Sequence, residues 1–127
     1  MQLFKAMLLI FLGGGTGSVL RFLISKTLNP VSSHFYLGTF TVNILGCFII
    51  GLISGWVLRS NYMDQTLALL LITGFCGGFT TFSTFSLENL ELIRNGELNN
   101  FLIYSLVSLL TGIAAVMAGF WINKVIA

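Results

Sequence analysis

The chain has 127 residues, of which 56% are hydrophobic and only 8% charged, with a net charge of +2, whereas ordinary soluble domains are about 25% charged. This balance excludes a soluble globular fold and points to an all-α integral membrane protein. Several segments approach the roughly 20 apolar residues that one helical crossing needs, so 1–127 reads as a single four-helix transmembrane domain with no room for a soluble unit beside it.

The predicted crossings are 3–25, 35–58, 67–93 and 101–126. The first begins with Lys5 ahead of an apolar run, as a signal peptide does. However, Gly13-Gly14-Gly15 interrupts the run and no small-x-small cleavage site follows, so the segment is expected to be retained as a helix, with no cleaved signal peptide. Gly13-xxx-Gly17 places two glycines one turn apart, a spacing that lets helix backbones approach closely. Arg21 lies near the end of this span. The loop that follows carries Asn29-Pro30 and Ser32-Ser33-His34. His34 is the only histidine and has no ligand partners nearby in sequence, so no metal role is expected of it.

The second crossing contains Gly51-xxx-Gly55 and a costly polar residue, Asn43, with Thr39 and Gly46 at helical spacing on the same face. The Asn43 amide can donate to a passing anion or bond a neighbouring helix, and spacing leaves both readings open. Arg59-Ser60-Asn61-Tyr62 and Asp64 then lead into the third crossing. Its centre is the most informative stretch of the chain: Gly74-Phe75-Cys76-Gly77-Gly78-Phe79-Thr80-Thr81-Phe82-Ser83-Thr84-Phe85-Ser86. Irregular backbone at membrane depth is tolerated only where it is packed in protein or lines a wet cavity, so this segment is read as a broken helix at the functional centre. Phe79, Phe82 and Phe85 recur at i, i+3 and i+6. They are interleaved with Thr80, Thr81, Ser83, Thr84 and Ser86, hydroxyls that a lipid face has no use for. Ring edges carry the positive end of the aromatic quadrupole and can receive an anion. Carbonyls freed near Gly77 and Thr80 would instead suit a cation.

Glu91, Arg94 and Glu97 read as interfacial residues, and Arg21 and Glu88, near span ends, are long enough to reach the headgroups. Arg94-Asn95-Gly96-Glu97 marks a turn. In the fourth crossing Tyr104, Ser108 and Thr111 form a stripe of hydroxyls. The stripe can serve as anion donors or bond back to its own helix. Cys47 and Cys76 fall at membrane depth and read as small packing residues.

Basic residues usually fix orientation by collecting on the cytoplasmic side. Here Lys5, Arg59 and Lys124 fall on one side and Arg21, Lys26 and Arg94 on the other, three against three. A chain without a charge bias should insert both ways, so an antiparallel, dual-topology homodimer is the leading assembly. The competing reading is one orientation set by features other than charge.

Three segments together resemble the CrcB/Fluc family of bacterial fluoride channels: Gly-Gly-Phe-Thr-Thr-Phe-Ser-Thr-Phe-Ser at 77–86, Gly-Thr-Phe-Thr-Val-Asn at 38–43, and Gly-Gly-Gly-Thr-Gly-Ser-Val-Leu-Arg at 13–21. The resemblance covers essentially the whole chain. It implies a multi-pass protein of the bacterial inner (plasma) membrane, assembled as a dual-topology homodimer of four-helix subunits. Two antiparallel pores would pass fluoride down its gradient and confer fluoride resistance by keeping the cytoplasm low in fluoride. It also implies a structural, untransported sodium ion held by backbone carbonyls, by motif position those of Gly77 and Thr80. Carried over residue by residue, Phe82 and Phe85 correspond to pore-lining rings and Asn43 to the pore asparagine. Ser83 and Thr84 lie beside the rings, and Tyr104 and Ser108 correspond to a hydroxyl track. Arg21 and Glu88 correspond to vestibule residues. The resemblance leads one to expect a further hydroxyl at 112, where this chain has Gly112.

No nucleophile and base pairing, phosphate loop or basic stripe suggests an enzyme or a nucleic-acid partner. A small dual-topology proton-coupled exporter shares the four-span plan but requires a buried carboxylate reached from both sides. The first two spans contain no Asp or Glu, and Glu88 comes late in the third. A non-transporting membrane scaffold would account for the glycines but not for hydroxyls alternating with rings.

Overall fold

In the computed structural model, which describes residues 2–32, 35–60 and 64–126, four helical segments are long and apolar enough to cross a membrane: Leu3–Val31, Leu37–Ser60, Gln65–Arg94 and Leu98–Ile126. Of the loop residues, Ser33, His34, Asn61 and Tyr62 lie outside the described residues.

Helix α1 spans Leu3–Leu28 and runs unbroken through Gly13-Gly14-Gly15, which the sequence suggests as an interruption. These glycines form a seat. A Cβ on Gly13 would collide with the Leu70 carbonyl and one on Gly17 with the Phe75 carbonyl. Bare backbone at these positions lets the third span lie directly on α1. A short 3₁₀ turn, Asn29–Val31, ends the first span at Pro30, which disfavours helix in the residue before it. Asn29 then caps the next helix from outside: its Oδ1 accepts from the amides of Gly38 at 2.7 Å and Thr39 at 3.1 Å. Those amides belong to the first turn of α2 (Leu37–Ser60), where no intrahelical acceptor exists.

The third span has several parts. Asp64 caps its start, accepting from the Thr66 amide at 2.9 Å. Ala68–Cys76 follows as a π-helical stretch, and Gly77–Phe79 returns to α geometry; residues 65–79 are called α3 here. Helical geometry then stops. Thr80 (φ −88°, ψ 158°) and Thr81 (φ −149°, ψ 119°) are extended. Helix α4, Phe82–Arg94, begins on its own N-cap, with Thr81 Oγ1 accepting from the Thr84 amide at 3.2 Å. It ends where Gly96 adopts φ 75°. There the Gly96 amide donates to the Ile93 carbonyl and the Glu97 amide to the Leu92 carbonyl, a glycine-closed C-cap. Helix α5 is Leu98–Ile126. It starts three residues before the apolar stretch at Phe101, because Asn99 and Asn100 fit a first helical turn, where Asn100 Nδ2 reaches Glu97 Oε2 at 3.3 Å.

Helix α1 packs along α3, and α2 along α5. Gly51 and Gly55 of α2 meet the Val116 and Phe120 carbonyls of α5, and Gly119 meets Phe48 in return. The buried apolar core is small: Val42, Cys76, Phe79, Leu92 and Tyr104. Large apolar side chains such as Leu3, Phe4, Phe11, Leu110 and Val125 are exposed, as expected where the surrounding solvent is hydrocarbon.

Candidate functional site

The two extended residues at 80–81 redirect several hydrogen bonds. In a continuous helix the Gly77 carbonyl would receive the Thr81 amide, and the Thr80 carbonyl the Thr84 amide. Here the Thr81 amide donates to Asn43 Oδ1 at 2.8 Å and the Thr84 amide to Thr81 Oγ1 at 3.2 Å. Asn43 Nδ2 donates in turn to the Thr81 carbonyl at 3.2 Å. The asparagine thus brackets the extended residue from α2, using one of its two amide hydrogens and leaving the other free. On the opposite side Arg21 Nε donates to the Gly78 carbonyl at 3.0 Å, and Ser18 Oγ approaches the same oxygen at 3.4 Å. Arg21 is therefore docked on the end of α3 and does not extend toward the headgroups. The Gly77 and Thr80 carbonyls have lost their helical amides without either acquiring one of these side-chain donors, and neutral oxygens are the donor set a hard cation takes.

Beside this interruption lies a groove of about 420 Å³, bounded by α2, the third span and α5. Asn43, Gly77, Thr80, Phe82, Phe85 and Ser108 all line it, and among the described residues no carboxylate or cationic side chain does. Cys47 and Cys76 also contribute to its wall as free thiols. The phenylalanine periodicity assumed one continuous helix, and the extended residues shift its phase. Phe79 is buried and stacks on Phe75 with ring centroids 5.4 Å apart. Phe82 stands out over the groove at 79% exposure. Phe85 is half-buried, 6.1 Å from the Phe82 ring and 5.1 Å from that of Tyr104. Ser83 is exposed and Thr84 half-buried at the start of α4. The Ser108 hydroxyl is buried and has no hydrogen-bond partner among the described residues. Gly112, one turn further along α5, leaves room where the hydroxyl was expected: an added Cβ would stand 3.6 Å from Cys47 Sγ, an ordinary contact.

One turn from Ser108 in the other direction, Tyr104 is fully buried and donates to Glu88 Oε1 at 2.8 Å. Thr39 Oγ1 donates to Glu88 Oε2 at 2.7 Å, and Asn29 Nδ2 lies 3.5 Å from the same oxygen. Glu88 is only 6% exposed. The span-end reading, in which it reaches the headgroups, is corrected: three polar partners from the first loop, α2 and α5 turn it inward. The sequence by itself does not mark Thr39 and Asn29 as partners of Glu88, from which they stand 49 and 59 positions away. The available signal was a polar pair flanking the start of the second span. Towards the exterior, Tyr36 hydroxyl donates to Glu91 Oε2 at 2.9 Å. Just outside the second span, its phenol is pushed up to about 12, first by burial and then by the bond to Glu91 and the neighbouring carboxylates. Ser108, Phe85, Tyr104 and Glu88 thus run in order from the groove toward one end of the bundle, a row of neutral donors and ring edges that ends at a carboxylate.

The family described as "CrcB-like protein, Camphor Resistance (CrcB)" matches residues 8–120. A protein of Serratia proteamaculans named "Fluoride-specific ion channel FluC" is 48% identical over 123 residues, covering 94% of this chain and 97% of the relative. A protein of Phocaeicola vulgatus with the same name is 47% identical over 122 residues, covering 94% and 99%. One of Azobacteroides pseudotrichonymphae, also so named, is 45% identical over 121 residues, covering 94% and 97%.

Proposed function

Because this chain belongs to the CrcB-like family, we infer that it is a fluoride-specific ion channel, a multi-pass membrane protein that lets fluoride leave the cell passively and is not an enzyme. The observation that carries the inference is the end-to-end match to proteins named as fluoride-specific channels, with coverage above nine-tenths on both sides. The site's chemistry agrees. A channel needs sites that admit an ion yet release it, and a groove of amide, hydroxyl and ring-edge donors without a fixed charge provides weak, repeated binding.

In this reading fluoride sheds most of its water and passes among the free hydrogen of Asn43, the edges of Phe82 and Phe85, and the hydroxyls of Ser83, Thr84 and Ser108; Tyr104 can join them only by turning its one hydroxyl proton away from Glu88. Asn43 also acts on the backbone, because by bracketing Thr81 it keeps the third span interrupted. Arg21 neutralises the carbonyl end of α3, which would otherwise repel an anion. The Glu88 carboxylate holds Tyr104 and Thr39 by their hydroxyl protons, which fixes the Tyr104 ring in place beside Phe85. Structural sodium fits the Gly77 and Thr80 carbonyls, whose helical amides are directed elsewhere; when bound, it would supply positive charge and cross-linking at the interruption.

The groove is open on one side and Phe82 projects from it, so a single copy supplies half a corridor. An antiparallel homodimer in the bacterial inner membrane closes it, and the three-against-three charge balance supports mixed insertion. The experiment is efflux from reconstituted vesicles, read with a fluoride electrode and, in parallel, a chloride electrode. Rapid fluoride loss with chloride retained is the expected result, and vesicles as fluoride-tight as protein-free ones would refute it.

A further inference from the structure

A second cavity, of about 320 Å³, lies between the C-terminal ends of α2 and α5, far along the bundle from Glu88 and Tyr104. It is lined by Gly55, Leu58, Arg59, Phe120, Asn123 and Lys124. Its shape follows from the packing. Gly55 lets the two helices lie close together here, since an added Cβ would stand 2.6 Å from the Phe120 carbonyl oxygen and 2.7 Å from Asn123 Nδ2. One turn past that pinch, Arg59 leaves α2 and Lys124 leaves α5, placing two cations over one concavity.

Among the described residues neither Arg59 nor Lys124 makes an ion pair. The carboxylate nearest Arg59 in sequence, Asp64, accepts from the Thr66 amide, and Glu88, Glu91 and Glu97 lie at the opposite end of the bundle. The Asn123 amide, which could soften the site, is committed to the Leu52 carbonyl at 2.9 Å and the Gly119 carbonyl at 3.2 Å. Two unpaired cations above apolar walls of Leu58 and Phe120, at the membrane edge of a spanning bundle, are complementary to a group that is anionic at its head and apolar below.

We propose that this cavity seats the phosphate of an anionic glycerophospholipid, held by Arg59 and Lys124, with its acyl chains running down Leu58 and Phe120. A free phosphate ion fits less well. The last turns of α2 and α5 point carbonyl oxygens this way, and the negative end of a helix dipole opposes a small dianion drawn close to the backbone. A lipid phosphate is held out at the tips of two long side chains, and its tails add apolar contact that inorganic phosphate lacks. Basic pockets between spanning helices recognise headgroups in this way.

Native mass spectrometry of the intact full-length protein in mild detergent, titrated with phosphatidylglycerol or with phosphatidylcholine of the same acyl chains, tests the assignment. The wild type should retain phosphatidylglycerol preferentially. Arg59→Gln and Lys124→Gln should each weaken that retention about fivefold, and the double variant on the order of thirtyfold, with phosphatidylcholine unchanged. The charge-preserving pair Arg59→Lys with Lys124→Arg should keep it. Equal weakening by Lys5→Gln with Lys26→Gln, which removes as much charge elsewhere, would overturn the site, as would single variants that bind like the wild type. Displacement of the lipid by equimolar inorganic phosphate would overturn the lipid as the occupant. Fluoride efflux does not enter this readout, so its failure would be a separate result.

Discussion

Replacing Asn43 by leucine removes both ends of the bracket around Thr81 while keeping side-chain volume. The bonds lost are Thr81 amide to Oδ1 at 2.8 Å and Nδ2 to the Thr81 carbonyl at 3.2 Å. A buried backbone group left unsatisfied costs about 1–3 kcal/mol, so two such groups set an upper range of about 2–6 kcal/mol. Thr81 is half-buried, and its amide can return to the Gly77 carbonyl it was drawn away from, which recovers part of one bond. The expected loss is therefore roughly 2–4 kcal/mol, and the recovered bond should straighten the third span at the point where conduction needs it interrupted. Stability is read by titration with sodium dodecyl sulfate in mixed micelles, following the fluorescence of Trp56 and Trp121. Conduction is read by fluoride efflux from vesicles. Asn43→Leu should lower both, with efflux reduced by at least about tenfold, one transition-state factor of roughly 1.4 kcal/mol. Stability within about 0.5 kcal/mol of wild type, together with unchanged efflux, would show that the asparagine does not hold the interruption.

Substituting Phe82 or Phe85 by isoleucine keeps bulk but removes the ring edge; each variant should suppress fluoride efflux while its oligomeric state by size-exclusion chromatography stays as wild type. Gly51→Ala places a methyl against the Val116 carbonyl and should destabilise by about 1–3 kcal/mol. Gly112→Ala, whose Cβ meets only Cys47 Sγ at 3.6 Å and Ile44 Cδ1 at 3.9 Å, should be neutral or stabilising by up to about 1 kcal/mol; detergent unfolding that ranked the two the other way would contradict the packing. Tyr36 is a neutral acid held above its ordinary range, at about 12, so its bond to Glu91 contributes fully below about pH 10 and is lost as pH rises through 12. The stability advantage of wild type over Tyr36→Phe should therefore shrink from about pH 10 upward in thermal unfolding scans.

The four spans were legible because hydrocarbon allows so few alternatives: runs of leucine, isoleucine and phenylalanine of crossing length have nowhere else to go. Helix ends were less so. Gln65, Asn99 and Asn100 are polar and read as loop, yet first turns favour such residues, because their free amides need acceptors. The turn at Asn95-Gly96 was visible because only glycine takes the positive φ of Gly96 without strain. The burial of Glu88 was not legible, since its partners Asn29, Thr39 and Tyr104 come from three other segments and none is close in sequence. Phe79 was grouped with Phe82 and Phe85 because periodicity counts along an unbroken helix; two extended residues put it on another face. Asn43 showed itself as a polar residue at depth, but the choice between its two readings needed the Thr81 backbone beside it.

The π-helical stretch at Ala68–Cys76 has a consequence for how this chain can vary. Wider turns accommodate residues that a tighter coil would carry forward, so the stretch fixes the angle at which Gly77 and Gly78 arrive above α1. Losing a single residue anywhere within it would rewind the coil and rotate those glycines off the Gly14 carbonyl that Gly78 now abuts. Substitutions are therefore better tolerated there than changes of length, even though the segment, ALLLITGFC, is mostly plain apolar filler.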